Sequence, residues 1–210
     1  WLNPVGRLYM LRQWSPLFGD AVAAVTAAQT LSSAGVPFQL LQEASIRPSV
    51  LRSRNVLLIG APSYSTYAAR VLRNTPFTIQ NDTSTSDEVI SGAPAEGQPS
   101  KPAFLPKHDE RGRTSVVYGL ITVVPSGPRP ESEAQTVIIS GMGGAGAQAA
   151  MEFFSSVASL RLLQRQFRKD NLTRVPPAYQ VVVRCTMDQS LLMNWDLAAF
   201  KTIDPSRLLD

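Results

Sequence analysis

TVIISGMGGAGAQAAMEFF, residues Thr136 to Phe154, decides how the rest of this chain is read. Thr136–Ser140 is rich in β-branched residues and reads as a buried strand. Gly141–Gly146 is a glycine loop, and an apolar-faced helix follows. A strand that turns straight into a helix points several free backbone N–H groups at the space above the turn, which suits an anion. Gly141, Gly143 and Gly146 match G-x-G-x-x-G between a strand and a helix, where that pattern carries meaning. The acidic residue expected after the next strand of a dinucleotide site is absent, since Ala178–Cys185 ends with Arg184 before its cysteine. The motif also sits late in the chain. Three readings stay open: a tight turn for close helix packing, an anion or polar ligand held by backbone amides, and a dinucleotide.

A second strand-to-helix turn lies upstream. Asn55–Gly60, NVLLIG, has four consecutive aliphatic residues, the pattern of a parallel strand covered on both faces. The loop after Gly60 carries Ser63, Tyr64, Ser65 and Thr66, and a helix from about Ser65 to Arg73 follows. These hydroxyls suit a phosphate, sugar or carboxylate, although Ser65 alone is as well explained as a helix cap. If the two strands adjoin, both loops line one crevice at the carboxyl ends of the strands. The candidate ligand set is then Gly60, Ser63, Ser65, Thr66, Gly141, Gly143, Gly144, Gly146 and Arg184. Arg184 either meets an anion there or pairs with Glu152 or Asp188.

Outward from these turns, the sequence predicts an entry arm over residues 1–19. A helix capped by Asp20 and stopped by Gly35 follows, with Val22, Val25 and Leu31 available for burial. Val36–Leu41 reads as a short strand, and Ser45–Leu51 as a short helix or turn with Pro48 in its first turn. Pro76–Gln80 reads as another short strand. Asn81–Arg113 is rich in Ser, Thr, Asp, Gly and Pro and reads as a long irregular insertion. Thr114–Val124 is a strand, Pro125–Gln135 a turn, and Thr136–Ser140 returns antiparallel. One helix then runs to about Arg168. Strands at Ala178–Cys185 and within Leu191–Lys201 complete the chain. The expected fold is α/β: a three-layer α/β/α sandwich, Rossmann-like, with a mixed, mostly parallel sheet and an antiparallel hairpin. It is one domain over 20–203, with a tail over 204–210.

The 210 residues are 44% apolar and 17% charged, enough to bury a real core. The formal charge is +4, but the basic residues are scattered, which is not the dense, aromatic-interleaved pattern of a nucleic-acid surface. The group Arg161, Arg165, Arg168 and Lys169 belongs at a helix C-terminus, where cations offset the macrodipole. With Cys185 as the one cysteine and His108 as the one histidine, no internal disulfide and no cysteine- or histidine-rich metal site can form. A Ser/His/Asp hydrolase would have to use His108, and the G-x-S-x-G elbow is missing. No cofactor is expected. No apolar run approaches the roughly 20 residues that span a bilayer. A chain that begins at Trp1 is expected to be a fragment or a processed form of a longer protein.

The segments WSP (Trp14–Pro16), LRSRNVLLIGAPSYSTYAARVL (Leu51–Leu72), YGLITVVP (Tyr118–Pro125) and Thr136–Phe154 together resemble a bacterial domain of acidobacterial type. That domain follows an N-terminal winged-helix DNA-binding domain and a transmembrane helix, in the manner of ToxR/CadC-like regulators. The resemblance covers most of residues 14–200 and implies no catalytic residues. It implies a non-catalytic sensing or interaction domain of a membrane-anchored transcription regulator, beyond the membrane, with a cytoplasmic location as the alternative. It also implies a small anionic or polar ligand or a homodimer as partner, and no DNA binding or membrane insertion by this part. An enzyme acting on a nucleotide or sugar phosphate in the same crevice, and a purely structural dimerisation module, are the competing expectations.

Overall fold

Val116 to Val124, nine consecutive residues dominated by β-branched and aliphatic side chains, are buried without a break. A strand covered on both faces has to lie in the middle of a sheet, and this one does. In the computed structural model, which describes residues 18–47, 54–82, 84–85, 87–93, 101–126 and 134–208, the helices are α1 (Phe18–Ser33), α2 (Thr66–Leu72), α3 (Gly143–Ser155) and α4 (Val157–Lys169). The strands are β1 (Val56–Ile59), β2 (Phe77–Asn81), β3 (Glu88–Gly92), β4 (Pro102–Phe104), β5 (Lys107–His108), β6 (Thr114–Pro125), β7 (Gln135–Gly141), β8 (Tyr179–Asp188) and β9 (Leu191–Thr202). The protein is a mixed α/β fold.

The large sheet has the order β1-β7-β6-β8-β9, with β5 on one end of β6. Only β1 and β7 run parallel, Val56 opposite Thr136 and Ile59 opposite Ile139. The β7–β6, β6–β8, β8–β9 and β5–β6 pairs are antiparallel. The sheet is therefore mixed, and the β6–β7 hairpin is as expected, but it is mostly antiparallel rather than mostly parallel. Runs of apolar residues signal cover on both faces, not strand direction, and β6 and β8 obtain that cover with antiparallel neighbours. β1 corrects the same inference from the other side. It is an end strand, half-buried along its length, despite its four aliphatic residues.

The alternation of β6 and β8 sorts the core. Ile121, Val123, Val181 and Val183 pack with Ala23 and Ala27 of α1, Met151 and Phe153 of α3, and Leu163 and Phe167 of α4. Tyr118, Leu120 and Val182 pack with Phe77, Ile79 and Ile90 and with Leu72 of α2. The latter strands form a second sheet, β2-β3-β4, fully antiparallel. Phe104 of β4 joins the two sheets, with its ring 5.8 Å from that of Phe77 and 5.1 Å from that of Tyr118. Among its described residues the 81–113 segment carries regular structure. It supplies β3, β4 and β5, and its hydroxyl-rich composition hid three short strands.

Four further expectations change. α1 ends as predicted, with Gly35 at φ 68° closing the last turn, but Asp20 lies inside the first turn instead of capping it. The same helix buries Gly19, Ala23 and Ala27 and leaves Val25 exposed, because close approach to α3 selects small residues. Val36–Leu41 forms no strand; Val36, Phe38, Leu40 and Leu41 are exposed. The single helix after the glycine loop is two helices, α3 and α4. Ser156 between them is extended, and the Ser155 hydroxyl donates back to the Met151 carbonyl at 2.8 Å. A 3-10 turn spans Glu43–Ser45; residues 48–51 of the expected short helix or turn at Ser45–Leu51, residues 127–133 and the arm with Trp14 lie outside the described residues.

Gln180, fully buried on β8, holds the second sheet to the first. Its Oε1 accepts from the Phe77 N–H at 2.7 Å, and its Nε2 donates to the Phe77 carbonyl at 2.8 Å. The amide thus pairs with the first residue of β2 as a neighbouring strand would. The same Nε2 lies 2.9 Å from the Thr122 hydroxyl and 3.1 Å from the Thr75 hydroxyl. Gln180→Leu keeps the volume but strands the Phe77 N–H and the Thr122 hydroxyl away from water, while the Phe77 carbonyl keeps the Thr75 hydroxyl as donor. We expect a loss of about 2–4 kcal/mol in urea unfolding, with the slope unchanged. A loss below about 0.5 kcal/mol would show that the amide does not hold the sheets together.

Candidate functional site

The parallel pairing of β1 and β7 brings the two strand-to-helix turns side by side. Gly60 donates its N–H to the Ile139 carbonyl at 3.0 Å, so the loop after β1 begins against β7, just before the glycine loop. Of the predicted set, Gly60, Ser63, Ser65, Thr66, Gly141, Gly143, Gly144 and Gly146 come to this end of the sheet. Arg184 does not join them. It stands on β8, two strands from β7, opposite Tyr118 and Asp196. It is exposed, and it alternates with Val183, which packs towards the helices, so its side chain is on the other face. Among the described residues it forms no ion pair with Glu152 or Asp188.

The glycines serve packing. A Cβ on Gly146 would run into the Tyr118 carbonyl, one on Gly141 into the backbone of Gly146 and Ala147, and one on Gly119 into the Gly146 carbonyl and Ala150. One on Gly19 would run into Gly144, where α1 crosses the start of α3. Gly143 differs: the space beside it is open, but its φ of 60° favours glycine.

At each turn a glutamate side chain takes one backbone amide. Met142 N–H donates to the Tyr118 carbonyl at 2.8 Å, and Gly143 N–H donates to Oε2 of Glu88 at 2.6 Å. Glu88 begins β3, so the second sheet delivers a carboxylate to the positive end of α3. At the neighbouring turn Ser65 caps α2, its Oγ accepting from Ala68 N–H at 2.9 Å, as the capping alternative predicted. Oε1 of Glu43 accepts from Tyr67 N–H at 2.9 Å. Ser63 and Thr66 are exposed. One amide of each turn is thus taken by the chain's own glutamate. Sequence reasoning missed both residues, because neither sits in a motif and each arrives from a segment distant in sequence.

Asp20 adds charge to this end. Its partial burial, and then the Glu88 carboxylate, raise its pKa to about 6. The other titratable groups offer little chemistry. Burial, with Glu152 nearby, pushes the Cys185 thiol up to about 12, so it stays protonated and inert at neutral pH. His108 is about 40% exposed on β5, its Nε2 3.5 Å from Asp87 Oδ2. No group of three His, Cys, Asp or Glu side chains suited to a metal is found among the described residues. A pocket of about 300 Å³ lies between α4 and β9, lined by Gln166, Asp170, Leu172, Phe200, Lys201 and Thr202. Thr202 pairs with Tyr179, which pairs with Val123, which pairs with Val137. That pocket is therefore at the opposite end of the sheet from the glycine loop.

Comparison with known proteins returns nothing: no protein-family model, no curated protein and no solved structure matches this chain.

A raised carboxyl pKa means that the folded state holds its proton more tightly than the unfolded chain. The resulting stability is fully present below the ordinary value near 3.8 and is lost as pH rises through about 6. Asp20→Asn is therefore expected to be more stable than the parent above pH 6, by about 1–2 kcal/mol once solvent screening of the exposed part is discounted. The difference should shrink towards pH 4 in denaturant titrations. A difference independent of pH would show that Asp20 does not carry this charge.

Proposed function

We propose that this chain is a non-catalytic sensing or interaction domain of a membrane-anchored bacterial transcription regulator, placed on the far side of the membrane from its DNA-binding partner domain. The regulator context rests on the sequence resemblance. The non-catalytic character rests on one structural observation: the two turns that would bind and activate an anionic substrate are closed by Glu88 and Glu43. Chemistry on a nucleotide or sugar phosphate needs converging acids, bases or cations. Here the nearby ionisable groups are carboxylates, which repel such substrates. No described helix is long and apolar enough to cross a membrane, in keeping with a domain that does not insert. A Rossmann-like three-layer sandwich belongs to this proposal as well, supported by the adjacent β1–α2 and β7–α3 units. A cytoplasmic location remains the alternative within it.

Between the two halves of the proposal, interaction with another protein is favoured over binding of a small anion. An anion on the glycine loop would have to displace Glu88 from the Gly143 amide. A thermal-shift screen against nucleotides, sugar phosphates and inorganic anions is expected to leave the melting temperature of the parent unchanged. Glu88→Gln removes the competing charge while keeping an oxygen for the amide, and it too should show no shift. A shift in the parent that disappears in Gly143→Val would instead assign a ligand to the loop. Turnover of that ligand would establish the enzymatic reading. Bound ligand at a hundred times its dissociation constant stabilises by about 2.7 kcal/mol, well within reach of the measurement.

A further inference from the structure

β9 is the last strand of the large sheet, and no described strand pairs with its outer edge. It runs from Leu191 to Thr202, and none of its residues is buried, although Leu191 and Met193 are large and apolar. A long open edge presents unpaired N–H and carbonyl groups to any extended chain. Two irregularities restrict what can dock. Leu197 and Ala199 face consecutive residues of β8, so Ala198 is an extra residue; Met193 is extra in the same way between Leu192 and Asn194. Bulges of this kind disrupt pairing with a regular strand.

We propose that two copies of this chain pair through β9, antiparallel, about a two-fold axis between Ala198 and Ala199. The sequence on either side of that axis is complementary to itself. Trp195-Asp196-Leu197-Ala198 is followed by Ala199-Phe200-Lys201-Thr202, so the axis sets Ala198 against Ala199, Leu197 against Phe200, Asp196 against Lys201 and Trp195 against Thr202. Directly opposed residues in an antiparallel pair must share a face. The register with β8 meets that condition. Leu197 and Phe200 lie opposite Val183 and Val181, on the helix side; Asp196 and Lys201 lie opposite Arg184 and Gln180, on the other side. Without the extra Ala198, Asp196 and Lys201 would point to opposite faces. The bulge that deters a regular strand is what makes this edge match a second copy of itself, since the two-fold axis sets bulge against bulge. Each Asp196 then lies between Arg184 of its own chain and Lys201 of the other.

This inference goes beyond the non-catalytic reading and stands on β9 alone. A monomer would refute the pairing and leave the ligand screen to judge the function. The test is sedimentation of the whole chain over a micromolar concentration range. The parent is expected to dimerise. Lys201→Asp sets two carboxylates opposite each other at both ends of the interface and should weaken the dimer by about tenfold or more. The double exchange Asp196→Lys with Lys201→Asp reverses both charges and should restore it. The proposal is overturned if the parent stays monomeric, if Lys201→Asp dimerises as tightly as the parent, or if the double exchange remains as weak as the single one.

Discussion

The approach of α3 to the sheet is closer than side chains permit, and the rest of the arrangement depends on it. Gly119, Gly141 and Gly146 let the backbone of the helix rest on the backbone of β6 and β7, and Gly19 lets α1 cross at the same point. With α3 held there, its N-terminal amide lies where Glu88 can reach it from the second sheet. Asp20 is drawn towards the same end by the crossing of α1. The small residues along α1, Ala23 and Ala27, follow from the same spacing, because anything bulkier would hold the two helices apart. A glycine pattern that resembles a nucleotide fingerprint is thus accounted for by packing, with only Gly143 kept for its backbone angle.

Filling both helix starts with carboxylates has an electrostatic meaning. The partial positive charge at each turn meets a carboxylate of the chain itself, which opposes the approach of phosphates even though the chain carries a net positive charge. A site for anions would pair free amides with lysine or arginine; here the one arginine expected to contribute, Arg184, stands on the other face of the sheet. The edge of β9 turned away from β8, with Asp196 and Lys201 among its apolar residues, is where the proposed contact with a second copy lies.

Much of this was legible in the sequence. The two strand-to-helix turns, the hairpin, the Ser65 cap and the Gly35 stop all follow from local chemistry, and the structure has each of them; the adjacency of the two turns was only a condition of the site. Strand direction was not legible, because burial on both faces leaves the same apolar run in parallel and antiparallel strands. The second sheet was not, because β3, β4 and β5 are short and sit among hydroxyl-bearing residues. Their stabilisation comes from distant partners, such as Tyr118 against the Phe104 ring of β4. Nor could sequence place Arg184, whose position near a strand end says nothing about which face it occupies. Glu43 and Glu88 act through contacts made only after the chain has folded back on itself, so no spacing announces them.

The Gln180 amide also constrains the order of events during folding. It joins β8 to Phe77 at a sequence separation of 103, and β6 and α3 lie within that interval. The hairpin of β2 and β3 can form from local contacts and pack on Tyr118 and Leu120 of β6, but its hydrogen bonds to the large sheet wait for β8 to pair with β6. Closing so long a loop is slow relative to local structure. Until the Gln180 contact is made, the Phe77 peptide groups lack the partner that ties the small sheet to the large one, so this contact is expected to close after the local hairpins have formed.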